Sequence, residues 1–246
     1  MRYYTHNYSF PWWKIIAFDR PKLSNVFSYI DATQVVNFGN FSNQRALIIG
    51  GSRGVGAICS KLLIAGGAKV LFTYNQGLME ANEICSEINS PNLNSIQYDI
   101  NNVNNDITKS IKEFAPTHIY YFVTPFIFSA NKGHFDIKLF QKFSNYYIDG
   151  LYRIVSSFER SEELKLYYPS SIAIDELLDN MIEYSCSKIA GELQDFLLVD
   201  KYKTNSGETL TDDTCIVYAA WPLTTDIASQ TWKFPICGSL PIYAIL

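Results

Sequence analysis

The chain has 246 residues, of which 48% are hydrophobic and 18% are charged, and its formal net charge is −4. This hydrophobic content excludes a disordered chain, and the acidic balance argues against nucleic acid as a main partner. No apolar run approaches the roughly 18 residues that cross a bilayer, and residues 1–13 lack the apolar core of a signal peptide. We therefore expect a cytoplasmic protein without a membrane anchor.

The chain opens with an aromatic-rich stretch over residues 1–43, which holds two of the four Trp residues and has no clear hydrophobic period. We interpret this stretch as an extension that packs on the main domain or on a partner chain.

Short apolar runs and longer helical stretches alternate from about residue 44 onward. Strands are predicted at residues 46–49, 69–74, 95–100, 118–123, 164–169 and 214–220. Helices are predicted between them, at residues 57–65, 78–89, 103–114, 138–160 and 184–201. This alternation predicts one α/β domain over residues 44–246, with a doubly wound parallel sheet between two layers of helices.

Cysteine and histidine usage indicates neither a disulfide framework nor a metal site. The five cysteines are odd in number and widely spread, without a C-x-x-C pair. None of the three histidines has a companion at metal-ligand spacing.

A glycine-rich loop with the spacing G-x-x-x-G-x-G lies between the first predicted strand and the first predicted helix. Glycines allow a tight turn and a close approach to a pyrophosphate, while the following helix directs its positive end at the same group. The alternative is an ordinary glycine-rich turn at a strand end. The candidate cofactor-binding residues of the loop are Gly50, Ser52, Arg53, Gly54, Val55 and Gly56.

Tyr184 and Lys188 are four residues apart on a predicted helix, so both side chains lie on one helix face. A cation beside a phenol favours the phenolate, which predicts a lowered pKa for Tyr184. Ser171 lies 13 residues before Tyr184, just after a predicted strand, where a side chain faces the ligand crevice of an α/β sheet. The alternatives are a helix-surface pair and a serine bonded to backbone, with Ser170 as the neighbouring candidate.

The glycine loop, Ser171, Tyr184 and Lys188 together resemble the short-chain dehydrogenase/reductase family, over about residues 45–225. The resemblance implies a Rossmann-like fold, a nicotinamide cofactor and a catalytic Ser–Tyr–Lys set. In that set Ser171 orients the carbonyl oxygen, Tyr184 donates the proton, and Lys188 tunes Tyr184 and holds the nicotinamide ribose.

Five further positions match cofactor-binding positions of this family. Asp99 and Ile100 correspond to the adenine contact, although Asp99 could instead cap the following helix. Thr124 lies where the family has an Asn-Asn-Ala-Gly segment, and Pro222 and Thr225 match the segment that flanks the nicotinamide.

The second predicted strand ends at residues 72–75 without an acidic residue to hold a free ribose diol. Arg53 lies in the glycine loop, where family members often place a basic residue for a 2′-phosphate. Together these features favour NADP(H) over NAD(H).

The sequence also departs from the family pattern. Tyr147 stands three residues before Gly150, where the family has an asparagine that completes a proton relay to the lysine. Asn145 is the closest substitute; relay through a water chain and loss of the relay are the alternatives. Only about twenty residues follow Asp226, which leaves a short substrate lid, and residues 237–246 are a candidate last strand.

The leading hypothesis is an NADP(H)-dependent oxidoreductase that reduces a carbonyl, by resemblance a β-keto acyl or polyketide-like substrate, and that forms a homodimer or homotetramer. The main alternative is a non-catalytic NADP(H)-binding regulatory or partner protein with the same fold. Dehydratase or epimerase chemistry on a sugar nucleotide is a third possibility, which the 13-residue spacing and the short C-terminal region disfavour.

Overall fold

The computed structural model describes residues 27–102, 105–127, 134–158, 164–171, 173–176, 179–204, 232–234 and 242–244. Pro222, Thr225, the strand predicted at residues 214–220 and most of the N-terminal extension lie outside these ranges.

Strands and helices alternate along the chain as predicted. The first half contains α1 (Tyr29–Val35), β1 (Arg45–Ile49), α2 (Gly54–Ala65), β2 (Lys69–Tyr74), α3 (Leu78–Ile88), β3 (Leu93–Gln97) and α4 (Asn105–Phe114). The second half contains β4 (His118–Tyr121), α5 (Ile137–Ser144), a π-helix (Asn145–Asp149), α6 (Gly150–Ser156), β5 (Lys165–Tyr167), α7 (Ala173–Glu176), α8 (Ile182–Thr204), β6 (Trp232–Phe234) and β7 (Ile242–Ala244).

The central sheet has the strand order β3-β2-β1-β4-β5, and every neighbouring pair in it is parallel. Strands β2 and β3 extend the sheet on one side of β1, whereas β4 and β5 extend it on the other side. The strand order therefore switches direction between β1 and β4. In sheets of this kind, ligands bind beyond the carboxyl ends of the strands at that switch point. The predicted Rossmann-like architecture is therefore confirmed.

Two hydrophobic clusters cover the two faces of the sheet, because successive side chains of a strand point to opposite faces. Ala46 and Ile48 of β1 belong to the cluster that contains residues of α1, α2 and α3. Leu47 and Ile49 belong to the cluster that contains residues of α4, α5, α6 and α8. This division gives the predicted three layers.

The helix predicted as continuous over residues 138–160 is interrupted in its middle. A π-helical turn over Asn145–Asp149 separates α5 from α6, and the Gly150 N–H donates to the Asn145 carbonyl oxygen. Gly150 packs so closely on its neighbours that a Cβ atom there would lie 2.4 Å from Ile100 Cγ1 and 2.7 Å from the Tyr121 hydroxyl of β4. π-Helical turns are rare and short, and this one was not predicted from the sequence.

Residues 27–43 share the core of the α/β domain. Helix α1 begins with a capping box in which Ser28 and Asp31 bind each other's backbone N–H groups. The buried Lys61 ammonium of α2 donates to the Phe27 carbonyl oxygen at 2.7 Å and pairs with the Glu87 carboxylate at 2.8 Å. For these residues, packing on the main domain is the interpretation that the contacts support.

We expect Phe41→Ala to lower the free energy of unfolding by about 3 kcal/mol, because it opens a cavity in the core. Phe41 is 3% exposed and contacts Gly66 at the end of α2. Phe38→Ala is the matched control, since Phe38 is 86% exposed. Chemical denaturation of both variants measures the difference, and equal effects would contradict the packing role of this segment.

A short strand lies within residues 237–246, the candidate last strand of the prediction. Ile242–Ala244 pairs antiparallel with Trp232–Phe234, a strand that was not predicted, and the two form a sheet of their own. Among the helices of the described residues, none has the length and apolar character needed to cross a membrane.

Candidate functional site

The glycine loop forms a tight turn between β1 and α2. Gly50 has a φ of 85°, and its N–H donates to Thr73 Oγ1 on the neighbouring strand at 3.0 Å. A Cβ atom on Gly56 would lie 2.2 Å from the Gly50 carbonyl oxygen. Glycine is therefore required at both positions by the backbone itself.

The helix end of this loop has room for a bound group. Gly54 has a φ of 53° and opens α2, and a Cβ atom there would meet nothing within 4 Å. Ser52 is buried beneath the loop, Val55 is half-buried, and Arg53 is exposed. Backbone N–H groups at a helix start beside open space suit the pyrophosphate of a dinucleotide.

Arg53 forms an ion pair that sequence reasoning missed. Its Nε lies 2.9 Å from Oε1 of Glu80, in the first turn of α3. Although β2 ends without an acidic residue, the fold thus brings a carboxylate to the basic residue of the loop. The partners are 27 positions apart in the sequence, which explains why no local pattern indicated the contact.

Asp99 forms a local turn after β3. Its Oδ1 accepts from the Asn101 N–H at 2.9 Å, whereas α4 begins only at Asn105, so Asp99 does not cap that helix. The neighbouring Ile100 is buried, and its carbonyl oxygen accepts from the Arg153 guanidinium.

Tyr184 and Ser171 meet beyond the carboxyl end of β5. Their side chains share a hydrogen bond, and Ser171 Oγ also accepts from the Ala173 N–H at 3.3 Å. The Tyr184 ring is buried edge-on against Phe143 and Tyr147, with centroid distances of 5.8 Å and 5.6 Å.

The predicted lowering of the Tyr184 pKa is wrong. Burial raises the pKa of this phenol above its usual value of 10; the Ser171 hydrogen bond opposes the rise, and the Glu192 carboxylate adds to it. Tyr184 therefore stays protonated at neutral pH.

Lys188 lies in an aromatic box formed by Tyr147 and Tyr168. Its ammonium is 4.9 Å from the Tyr147 ring centroid and 3.9 Å from that of Tyr168, and it donates to the Pro169 carbonyl oxygen. Lys188 is 3% exposed, and burial lowers its pKa to about 7, against the opposing effect of Glu192. A lysine that is partly neutral at pH 7 carries less charge with which to stabilise a nearby phenolate.

Tyr147 connects the parts of the site. Its hydroxyl is 2.5 Å from Thr124 Oγ1, and its ring contacts both Tyr184 and Lys188. Asn145 is exposed on the π-helical turn, whereas the Tyr147 ring contacts the lysine; the relay role of Asn145 stays a prediction. The sequence marked Tyr147 only as a departure from a family pattern, and it gave no signal for Tyr168.

A continuous set of contacts joins the glycine loop to Tyr184. The Cβ position of Gly50 lies 3.0 Å from the Val123 backbone nitrogen, at the end of β4. The next residue, Thr124, binds the Tyr147 hydroxyl, and Tyr147 packs on Tyr184. Loop, Ser171, Tyr184 and Lys188 thus lie at one edge of the sheet, where parallel strands place ligand sites.

Neither a family model nor a curated protein matches the sequence. Solved structures do match in fold. FolM alternative dihydrofolate reductase 1 from Brucella canis, complexed with NADP, has a TM-score of 0.57 and 18% identity, covering 66% of this chain and 70% of its own. A short-chain dehydrogenase from Burkholderia cenocepacia in complex with NADP has a TM-score of 0.56 and 23% identity, with 65% and 69% covered. A candidate betaketoacyl-ACP reductase has a TM-score of 0.56 and 17% identity, with 67% and 70% covered.

These similarities show that the chain has the α/β fold of short-chain dehydrogenases and reductases. The fold expected from the glycine loop and the Tyr–Lys spacing is thereby confirmed.

Proposed function

We propose that this chain is an oxidoreductase of the short-chain dehydrogenase/reductase family that uses NADP(H) to reduce a carbonyl group. The observation that carries the proposal is the Tyr184 phenol, hydrogen-bonded to Ser171 at the sheet edge that also holds the glycine loop. Each group is common by itself, but a phenol, a hydroxyl and an open glycine turn at one switch point form a site for carbonyl chemistry.

The glycine loop fits a nicotinamide dinucleotide. Gly54 leaves space at the start of α2, and the exposed Arg53 offers a cation for a 2′-phosphate. Two of the similar structures, those from Brucella canis and Burkholderia cenocepacia, contain NADP, which supports the same cofactor here. When bound, the nicotinamide supplies the hydride; the protein contributes position and proton transfer.

Tyr184 acts as the general acid. Because burial raises its pKa, the phenol holds its proton at neutral pH and gives it to the carbonyl oxygen as that oxygen gains charge. The Ser171 hydroxyl, which already bonds the phenol, orients the same oxygen. This protonation state suits reduction better than alcohol oxidation, which needs the phenolate.

A β-keto acyl or polyketide-like chain is the substrate class we propose. A similar structure is that of a candidate betaketoacyl-ACP reductase, which supports this class of substrate.

A second function is favoured by one observation, the enclosure of Lys188. Its ammonium is directed at the Pro169 carbonyl oxygen and covered by two tyrosine rings. A lysine held this way is withdrawn from a ribose, which fits a protein that binds NADP(H) without turnover and serves as a regulatory or partner subunit.

Two measurements on the full chain separate these functions. NADPH is titrated by fluorescence, and its oxidation is then followed with a panel of ketones and β-keto thioesters. Binding with turnover supports the reductase, and binding without turnover of any carbonyl supports the second function. Absence of NADPH and NADH binding would refute both.

A further inference from the structure

Arg53 and Glu80 form a charged pair at the edge of the glycine loop. Arg53 is the residue immediately before α2, and Glu80 lies in the first turn of α3. Gly77 allows this approach, because a Cβ atom there would lie 2.7 Å from Ser52 Oγ and 3.2 Å from Arg53 Nε. The start of α3 is thus packed directly on the loop.

The two side chains differ in exposure. Arg53 is 57% exposed, whereas Glu80 is only 13% exposed, although their Nε and Oε1 atoms are 2.9 Å apart. Glu80 is therefore held by the protein, and the guanidinium extends from it toward solvent. A carboxylate in this position acts on any anion that approaches the same guanidinium, by orienting the donor and by opposing its charge.

We propose that Glu80 is a specificity-determining residue that limits the preference of this site for a cofactor with a 2′-phosphate. The inference rests on the proposed function, since it assumes that the loop binds an adenine dinucleotide. A 2′-phosphate at Arg53 competes with the carboxylate for one cation and is repelled by it, whereas a free 2′-hydroxyl is not. The net charge of the pair is near zero, so NADP(H) is favoured less strongly than Arg53 alone would allow.

Glu80→Gln separates charge from shape, because the amide oxygen still accepts a hydrogen bond from Arg53. Calorimetric titration uses adenosine 2′,5′-bisphosphate and ADP as probes, so neither a substrate nor turnover is needed. We expect the variant to bind the bisphosphate about fivefold more tightly, with the Kd for ADP changed less than about twofold. The gain shrinks at high salt, because salt screens charges at the surface.

Glu113→Gln is the matched control, since Glu113 is exposed near the end of α4 and the substitution removes the same charge. In an Arg53→Ala background, Glu80→Gln is expected to give a smaller selective gain, because competition for the guanidinium is then absent and only the direct repulsion remains.

Tighter bisphosphate binding confined to Glu80→Gln supports the inference. Equal changes for both probes, an equal effect of Glu113→Gln, or an undiminished gain without Arg53 would overturn it while leaving the proposed cofactor site intact. Failure of the unmodified chain to bind either probe, and also NADPH and NADH, would overturn the proposed function itself.

Discussion

Replacement of Tyr184 by Phe is expected to lower kcat for carbonyl reduction by about 10²- to 10⁴-fold, the range for loss of a positioned general acid. The Kd for NADPH should change less than about twofold, since the substitution removes only the hydroxyl that bonds Ser171 and keeps the ring that packs on Phe143 and Tyr147. Steady-state kinetics with the best substrate of the carbonyl panel, together with NADPH titration, measures both quantities.

Tyr152→Phe is the matched control, because Tyr152 is half exposed on α6 and lies outside the contacts that join the loop to Tyr184. If Tyr184→Phe retained the turnover of this control, another group would be the acid and the proposed mechanism would be wrong.

The pH profile gives a second measure of the same residue. Reduction needs the protonated phenol, so activity is lost as pH rises through the pKa of Tyr184, which burial places above 10. We expect no loss of kcat from this group between pH 7 and pH 9. A loss of kcat in that range that is absent in Tyr184→Phe would contradict this expectation. It would show that the pKa of Tyr184 is lowered when the cofactor is bound, and therefore that Lys188 is charged in that state.

The centre of the sheet could be predicted from the sequence because β1 and β2 are short, buried and largely apolar runs. Strand β2 was predicted at the bounds that the structure gives, and β1 within one residue. The glycine loop could also be predicted, because its turn depends on residues that are close together in the chain. Gly50 and Gly56 contact each other directly.

The chemistry of the site could be predicted less well from the sequence, because it depends on burial and on contacts between distant residues. Tyr184 and Lys188 share a helix face as their spacing predicts, yet burial raises the pKa of the phenol instead of lowering it, and an aromatic box encloses the lysine. The Tyr147 and Tyr168 rings come from the π-helical turn and from the residue after β5. Nothing local to Lys188 indicates either ring, and the same holds for the Arg53–Glu80 pair.

Burial of Lys188 also predicts a pH-dependent cost to the stability of the fold. Its pKa falls from 10.5 to about 7 in the folded chain. Below pH 7 the amine is protonated in both states, and the folded state bears the whole cost of enclosing the charge, about 4 to 5 kcal/mol. Between pH 7 and 10.5 the unfolded chain binds more protons than the folded chain, so the free energy of unfolding rises with pH until the cost is gone.

Lys188→Met removes the titrating group from the aromatic box. The free energy of unfolding of the unmodified chain, relative to that of the variant, should therefore rise by about 2 to 3 kcal/mol from pH 6 to pH 9. Lys138→Met, at an exposed position of α5, is the control and should follow the unmodified chain at every pH. Urea denaturation across this range measures all three proteins.

Parallel curves for Lys188→Met and the unmodified chain would show that the ammonium is solvated in the folded protein. In that case Lys188 is free to reach a ribose, and the second, non-catalytic function loses the one observation that favours it.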